Sequence, residues 1–509
     1  MATIDLVELT LEKVQSAFAK GLTAEALTRA SLDRITALNP SYNAIIFTNP
    51  DALADAREVD RRHTAGESLG PLAGVPIVVK DTMDMVGFPT TGGWSLLHSK
   101  TGGVDLMPRT DSSVVARMRA AGAIILGKTN VPILSHTGSH ANDSWAGPTY
   151  NAVNRKFVPG GSSAGTATAV AASMAVLGLA EETGGSIQNP ASAQALVGIK
   201  PTFGLVPTAG VMPLSGLRDV VGPIARCVRD AALALDVLAG YTAEDPKTIV
   251  SIGRKPKGGY ASKLQTDALK GKRIGTYGPG WHDQPLSEEA AHLYTRAKSE
   301  LQAQGVELVE DPFRGSGFAA LRKPTPPLTE YDGRGLESVP YDLQKYLEHL
   351  GPAAALRSFA EFAAATSQQN AFGAGGVLHF LPNLPEFAAC LADPARAPQQ
   401  TQFIAAKEAY LDIFEAVFAR ERLDALIFPQ MRDQLPLLHG TETIHETTVG
   451  EINFAGVPGI TVPAGYYVSG APFCLIIVGR MWSEADLLSY AYAYEHATRH
   501  RRPPVLSST

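Results

Sequence analysis

Gly160-Gly161-Ser162-Ser163-Ala164-Gly165-Thr166 is a Gly/Ser loop that feeds a run of small residues ending at Leu179, and Thr183-Gly184-Gly185-Ser186 is a second such loop. The run from Thr166 to Leu179 reads as a helix narrow enough to pack closely. Upstream, Gly74-Val75-Pro76-Ile77-Val78-Val79-Lys80-Asp81 reads as a short buried strand, because its β-branched residues run on without alternation between turn residues. A lysine stands at the carboxyl end of that strand. Asp111-Ser112-Ser113 can cap a helix through Arg119, and Gly122 to Asn130 gives another buried strand. Gly198-Ile199-Lys200 and a helix from Val228 to Leu238 continue the alternation, which predicts an α/β sheet covered on both faces.

The amino-terminal part predicts two packing helices, one carrying Leu6, Leu9, Val14 and Phe18, the next capped by Thr23 and stopping at Asn39-Pro40. From about residue 245 to 410 the composition shifts to Pro, Gly, Ala and aromatic residues with clusters such as Lys323-Pro324-Thr325-Pro326-Pro327. That stretch predicts loops and short helices over a site, including a roof drawn from Phe359 to Leu384. Ala425 to Pro429, Gly459 to Pro463 and Phe473 to Gly479 read as strands returning to the core before a helix from Ser483 to His500. No internal repeat and no long linker separates the ends, so residues 1–509 are expected to form one domain.

The chain is 45% hydrophobic and only 18% charged, so it has apolar surface for a large core. A net charge of -6 offers no basic face to nucleic acid or to anionic lipid. Cys227, Cys390 and Cys474 are odd in number, widely separated and without a C-x-x-C pair, which argues against both a disulfide framework and a zinc site. Met1-Ala2-Thr3-Ile4-Asp5 lacks the pattern of a signal peptide, and the apolar run from Ala167 to Ala180 is too short to span a bilayer. A soluble, cytoplasmic protein, monomeric or homodimeric, is expected.

A serine becomes a nucleophile when a base within hydrogen-bond reach takes its proton, directly or through a relay. A lysine serves as that base when burial disfavours its ammonium form, and Lys80 follows an apolar strand. Gly184-Gly185 ahead of Ser186 leaves backbone N–H groups uncovered, as an oxyanion hole requires. A phosphate-cradling reading of the first loop fails because no Gly-Lys-Ser/Thr follows. Gly161-Ser162-Ser163-Ala164-Gly165 also matches the G-x-S-x-G nucleophile elbow, which makes Ser163 the nucleophile of an α/β-hydrolase esterase as an alternative. The elbow requires a hydrophobic strand just before it, and Asn154-Arg155-Lys156-Phe157-Val158-Pro159 is a poor one.

Gly74 to Asp81, Gly160 to Ala172 and Thr183 to Gly204 together resemble the amidase signature family, with Ser186 following Ser162 at the interval usual there. The similarity extends through Gly127-Lys128-Thr129-Asn130 and Val221 to Arg226, and resumes at Asn453 to Pro458 and Val478-Gly479-Arg480. The resemblance implies an α/β/α sandwich with a large mixed, mostly parallel central sheet. It assigns residues 60–240 to a signature core, 245–410 to a variable substrate-binding region and 420–509 to a carboxy-terminal return to the core. It makes Lys80 the base, Ser162 a bridging serine held by a cis peptide, and Ser186 the nucleophile, with the backbone N–H groups of Thr183, Gly184, Gly185 and Ser186 as the oxyanion hole. No metal or organic cofactor is implied. The implied substrates are small amides, anilides or carbamates. Family analogy also allows an amidotransferase subunit that releases ammonia from glutamine within a multi-chain complex.

Where that family commonly carries Asp-Thr-Gly-Gly-Ser-Ile-Arg, this chain has Glu182-Thr183-Gly184-Gly185-Ser186-Ile187-Gln188. A neutral amide at 188 cannot fork onto a carboxylate as a guanidinium does, so an uncharged substrate beside Gln188 is expected. Trp145 and Tyr150, just before the first loop, are candidates to line the acyl pocket. His136 and His140 have i, i+4 spacing, but Gly138 interrupts the helix a metal pair would need, and they read as loop histidines.

Overall fold

The computed structural model describes residues 4–321 and 332–506; Met1 to Thr3 and the Lys323 to Pro327 cluster lie outside them. Eleven strands form one sheet. They are β1 (Ile45–Thr48), β2 (Pro76–Lys80), β3 (Ile124–Thr129), β4 (Leu177–Glu182), β5 (Val197–Lys200), β6 (Val220–Ala225), β7 (Arg273–Thr276), β8 (Glu307–Val309), β9 (Ala425–Pro429), β10 (Gly459–Tyr466) and β11 (Pro472–Val478). Their spatial order is β1-β3-β2-β4-β6-β5-β10-β11-β9-β7-β8. The sheet is large and mixed, but it is not mostly parallel. β2 runs parallel to β3 and β4, and β7 to β8 and β9, whereas the other six pairings are antiparallel. The short Tyr467–Ala471 turn forces β10 and β11 into a hairpin, and β6 returns antiparallel between β4 and β5.

Both faces are covered, and the alternation of side chains along β2 shows how. Ile77 and Val79 join the apolar layer that includes Val228, Leu235 and Leu488, while Val78 joins the opposite layer with Ile35, Leu38 and Val170. Every residue of β2, β3, β4, β5 and β6 is buried, so these strands do not alternate apolar with polar; their polar residues stand at the carboxyl ends of β2, β3, β4 and β5. At about 25 cal/mol per Å² of apolar surface, such two-sided burial is the main source of stability in this region.

Local signals act as expected at several ends. Thr23 Oγ1 accepts from the Ala26 N–H at 3.1 Å, and Ser112 Oγ from Val115 N at 3.4 Å, capping Ala24–Tyr42 and Ser113–Ala120. The first of these helices passes Pro40 rather than stopping before it. Its last turn closes at left-handed Asn43, and Asn39 Oδ1 takes up the N–H groups of Ala44 and Ile45. The small-residue helix is shorter than expected: it ends at Ala171, the chain turns at Ser173, and Leu177 onward enters the sheet as β4. An unbroken apolar run carries no period to separate buried helix from buried strand, and pairing with β2 decides it.

The middle of the chain is more than a cover. β7, β8 and the helix Glu288–Ala303 extend the sheet at one edge. Only the later part, around Leu336 to Phe387, gathers with Trp94, Leu97, Leu134 and Met212 into an apolar cluster outside the sheet. Among the described residues no helix is long and apolar enough to cross a membrane.

Candidate active site

β2, β3 and β4 end side by side, and polar groups collect beyond their carboxyl ends, where parallel strands leave a crevice. Lys80 closes β2 and is fully buried. Its Nζ donates to Ser162 Oγ at 2.7 Å, to Glu181 Oε2 at 2.6 Å and to the Glu181 carbonyl at 3.2 Å. The Gly161–Ser162 peptide is cis, as the resemblance implies, and Ser162 lies just ahead of the helix Ala164–Ala171. A Cβ on Gly161 would stand 2.5 Å from the Thr137 carbonyl oxygen, so only glycine lets this loop approach the neighbouring backbone so closely.

Ser163 is spoken for. Its N–H donates to the Ser186 carbonyl and its Oγ to the Glu181 carbonyl, both at 3.3 Å, and no strand precedes it. Those contacts overturn the nucleophile-elbow reading: the hydroxyl is turned onto β4, and the strand-turn-helix frame of an elbow is missing.

The second loop is buttressed by Glu182. Its Oε2 accepts from the Ile187 and Gln188 N–H groups at 2.7 and 3.1 Å, and its Oε1 from Asn453 Nδ2 at 2.6 Å. Ser186 is 4% exposed at the head of this turn. The N–H groups of Gly184, Gly185 and Ser186 donate to no backbone carbonyl among the described residues. Gly185 has φ of 94°, and a Cβ there would lie 2.8 Å from Asn189 Nδ2. Thr183 Oγ1 donates to Asp219 Oδ1 at 2.5 Å and lies 3.3 Å from Glu181 Oε1. Burial and the nearby Glu181 charge push the Asp219 carboxyl up to about 7, against the Leu214 and Ser215 N–H groups that favour its ionised form.

The three expected substrate contacts have other partners. Gln188 is fully buried, with Nε2 donating to Glu182 and Oε1 accepting from Gln430 Nε2, so its amide braces the loop instead of facing open space. Trp145 donates to Thr91 Oγ1 at 2.9 Å and packs on Phe47 and His98. Tyr150 lies under the Arg155 guanidinium and packs with the layer beneath the sheet. A small pocket lies elsewhere, lined by Glu181, Thr82 and Ser135 together with Leu134, Met212, Pro213, Val339, Leu343 and Leu378. Its walls are side chains scattered over the chain with no common spacing. Glu181 itself was legible: with Glu182 it forms a charged end to an otherwise apolar buried strand, beside the strand that carries Lys80. His136 Nδ1 sits 3.0 Å from the Ile133 carbonyl oxygen, and among the described residues no group of three or more His, Cys, Asp or Glu side chains is arranged to hold a metal.

Residues 26–317 match the Amidase family model. The chain belongs to the amidase family. Other amidase-family proteins match it nearly end to end. A glutamyl-tRNA(Gln) amidotransferase subunit of Thermosynechococcus vestitus is 34% identical over 96% of this chain and 97% of its own. A probable amidase of Arabidopsis thaliana is 31% identical over 99% and 92%. Among solved structures, the peptide amidase of Stenotrophomonas maltophilia superposes with a TM-score of 0.79 at 33% identity, covering 98% of this chain and 99% of that one. The superposition with this solved relative extends over the carboxy-terminal part of this amidase-signature hydrolase, which lies beyond the span of the family model.

Proposed function

We propose that the protein hydrolyses a neutral carboxamide through an acyl-enzyme on Ser186, with Ser162 as relay and Lys80 as base. The 2.7 Å contact between Lys80 Nζ and Ser162 Oγ, inside a site sealed from solvent, carries this reading. Ser186 Oγ attacks the acyl carbon while its proton moves to Ser162 and the Ser162 proton moves to Lys80. The oxyanion is received by the N–H groups of Thr183, Gly184, Gly185 and Ser186. The C–N bond then breaks as the departing amine takes a proton back through the same groups, and water releases the acyl group by the reverse route. The apolar walls of the adjoining pocket suit an uncharged, apolar or aromatic substituent, including an anilide, and the chemistry extends to activated esters and aryl carbamates.

The test is turnover of a neutral p-nitroanilide, a p-nitrophenyl ester and an aryl carbamate by the purified single chain, each beside Ser186→Ala. Cleavage by the native chain and none by the variant is the expected result; cleavage that survives in Ser186→Ala refutes the assignment. The 34% identity to an amidotransferase subunit supports a second reading, release of ammonia from glutamine within a complex. Ammonia release from glutamine that appears only with partner chains, together with no cleavage of the three neutral substrates, selects that reading.

A further inference from the structure

The hydrogen-bonded chain that starts at Ser162 does not end at Lys80. Beyond it stands Glu181, whose side chain is 2% exposed and whose Oε2 lies 2.6 Å from Lys80 Nζ, closer than the serine on the other side. A buried lysine with a carboxylate partner at that distance exists as an ion pair or as an amine beside a carboxylic acid, and the two differ by the transfer of one proton along an existing hydrogen bond.

From this contact we infer that Glu181 is the terminal proton acceptor of the relay, with Lys80 as the conduit. The inference rests on the Ser186–Ser162–Lys80 reading above. The proton balance closes without exchange with solvent. As Ser186 Oγ bonds to the acyl carbon, its proton passes to Ser162, a Ser162 proton passes to Lys80, and a Lys80 proton passes to Glu181. Lys80 is an ammonium before and after the step. One negative charge leaves the Glu181 carboxylate and reappears on the tetrahedral oxyanion, so the buried site never gains or loses net charge. On collapse the departing amine takes a proton from Ser162, and Glu181 returns its own through Lys80.

The surroundings of Glu181 fit this role. Its carbonyl also accepts from Lys80 and from Ser163, which fixes the strand end beside the lysine. Its second carboxyl oxygen faces Thr183 Oγ1, which bonds Asp219 on the other side. Lys80 and Asp219 are thus titratable groups set against it, and the buried Arg218 guanidinium lies beside Gly184 in the loop that follows. Asp219, pushed up to about 7, holds its proton through much of the acidic range and spares Glu181 a second full negative charge.

Glu181→Gln keeps the size and the hydrogen bonds but cannot take a proton. The expected result is a fall in kcat of about 100-fold or more, with KM changed less than about 3-fold. The acid limb of the kcat/KM profile is expected to move up by more than about one pH unit, because only a Lys80 that has lost its proton can then act as base. A Glu181 that only pairs with Lys80 gives no upward move, since losing the carboxylate withdraws what favours the ammonium, and a limb that stays or moves down with kcat within a few-fold of native overturns the inference. Glu181→Asp, which retains the charge, serves where Gln fails to fold: the native acid limb with a lower kcat supports the relay, and a limb displaced upward contradicts it. Ser186→Ala run in parallel separates the two proposals. Activity that survives there defeats the nucleophile assignment, whereas its loss beside an unaffected Glu181→Gln defeats the extended relay alone.

Discussion

At the ends of β2 and β4, polar side chains are buried and bonded to one another: Lys80 to Ser162 and Glu181, Thr183 to Asp219, Glu182 to Asn453. Beside them, the cover from Leu336 to Phe387 holds together by an apolar cluster that includes Leu343, Leu347, Phe359 and Phe387, with Phe362 against Trp94. Hydrogen bonds specify distance and direction, so the first region tolerates almost no substitution of residue type. Apolar packing specifies volume, so the second can be rebuilt with other residues of similar size. The proposed chemistry and the proposed substrate choice would therefore fall in neighbouring regions with different tolerance to change.

Breaking the first region is expected to have the larger effects. Ser186→Ala should lower kcat at least about 10⁴-fold in a single-turnover assay with an activated anilide, while thermal melting shows the fold retained. Lys80→Met should lower activity about 10³-fold or more and also destabilise the protein by about 3–5 kcal/mol in urea titration, because Glu181 is left buried without its cation. That double loss distinguishes a buried pair from a merely catalytic side chain. In the cover, Leu343→Ala should alter kcat/KM about 10-fold between substrates with large and small apolar groups while kcat for the small one holds. Equal change for all substrates would mean that the cover does not select.

The smallest expected effect lies far from both regions. Glu495 accepts from the Val228 N–H, and burial pushes its carboxyl up to about 8. The folded state holds that proton when the unfolded chain has released it, so stability is full below the ordinary carboxylate range and falls as pH rises toward 8. Glu495→Gln should remove that decline, so that the loss in Tm between pH 5 and pH 8 shrinks by about 2–4 °C in calorimetry. A native Tm that does not fall over this range would contradict the assignment.

The difference between the regions also decides what was legible in the sequence. Lys80, Ser162 and Ser186 stand in short motifs because each needs its neighbours: a buried strand under the lysine, and glycines where Gly161 and Gly185 approach other groups. The sandwich followed from the alternation of apolar runs and capped helices. The strand directions did not, since β4 and β10 are equally apolar whether their neighbours run parallel or antiparallel. Gln188 was read as a substrate contact because its motif position in the resemblance carries a charge. Its amide is held between nearby Glu182 and Gln430, which lies 242 positions away, and no local pattern announces that second partner. Leu134, Met212, Val339 and Leu378 converge on the pocket in the same non-local way.

The β10–β11 hairpin joins β5, made much earlier in the chain, on one side to β9, made shortly before it, on the other. During synthesis on a ribosome, Val197–Lys200 must wait with an open backbone edge until residues 459–478 have left the exit tunnel. A nascent chain of this protein therefore displays a sticky, unpartnered strand edge for as long as the stretch between Lys200 and Gly459 is being made, an interval in which that edge is open to wrong partners.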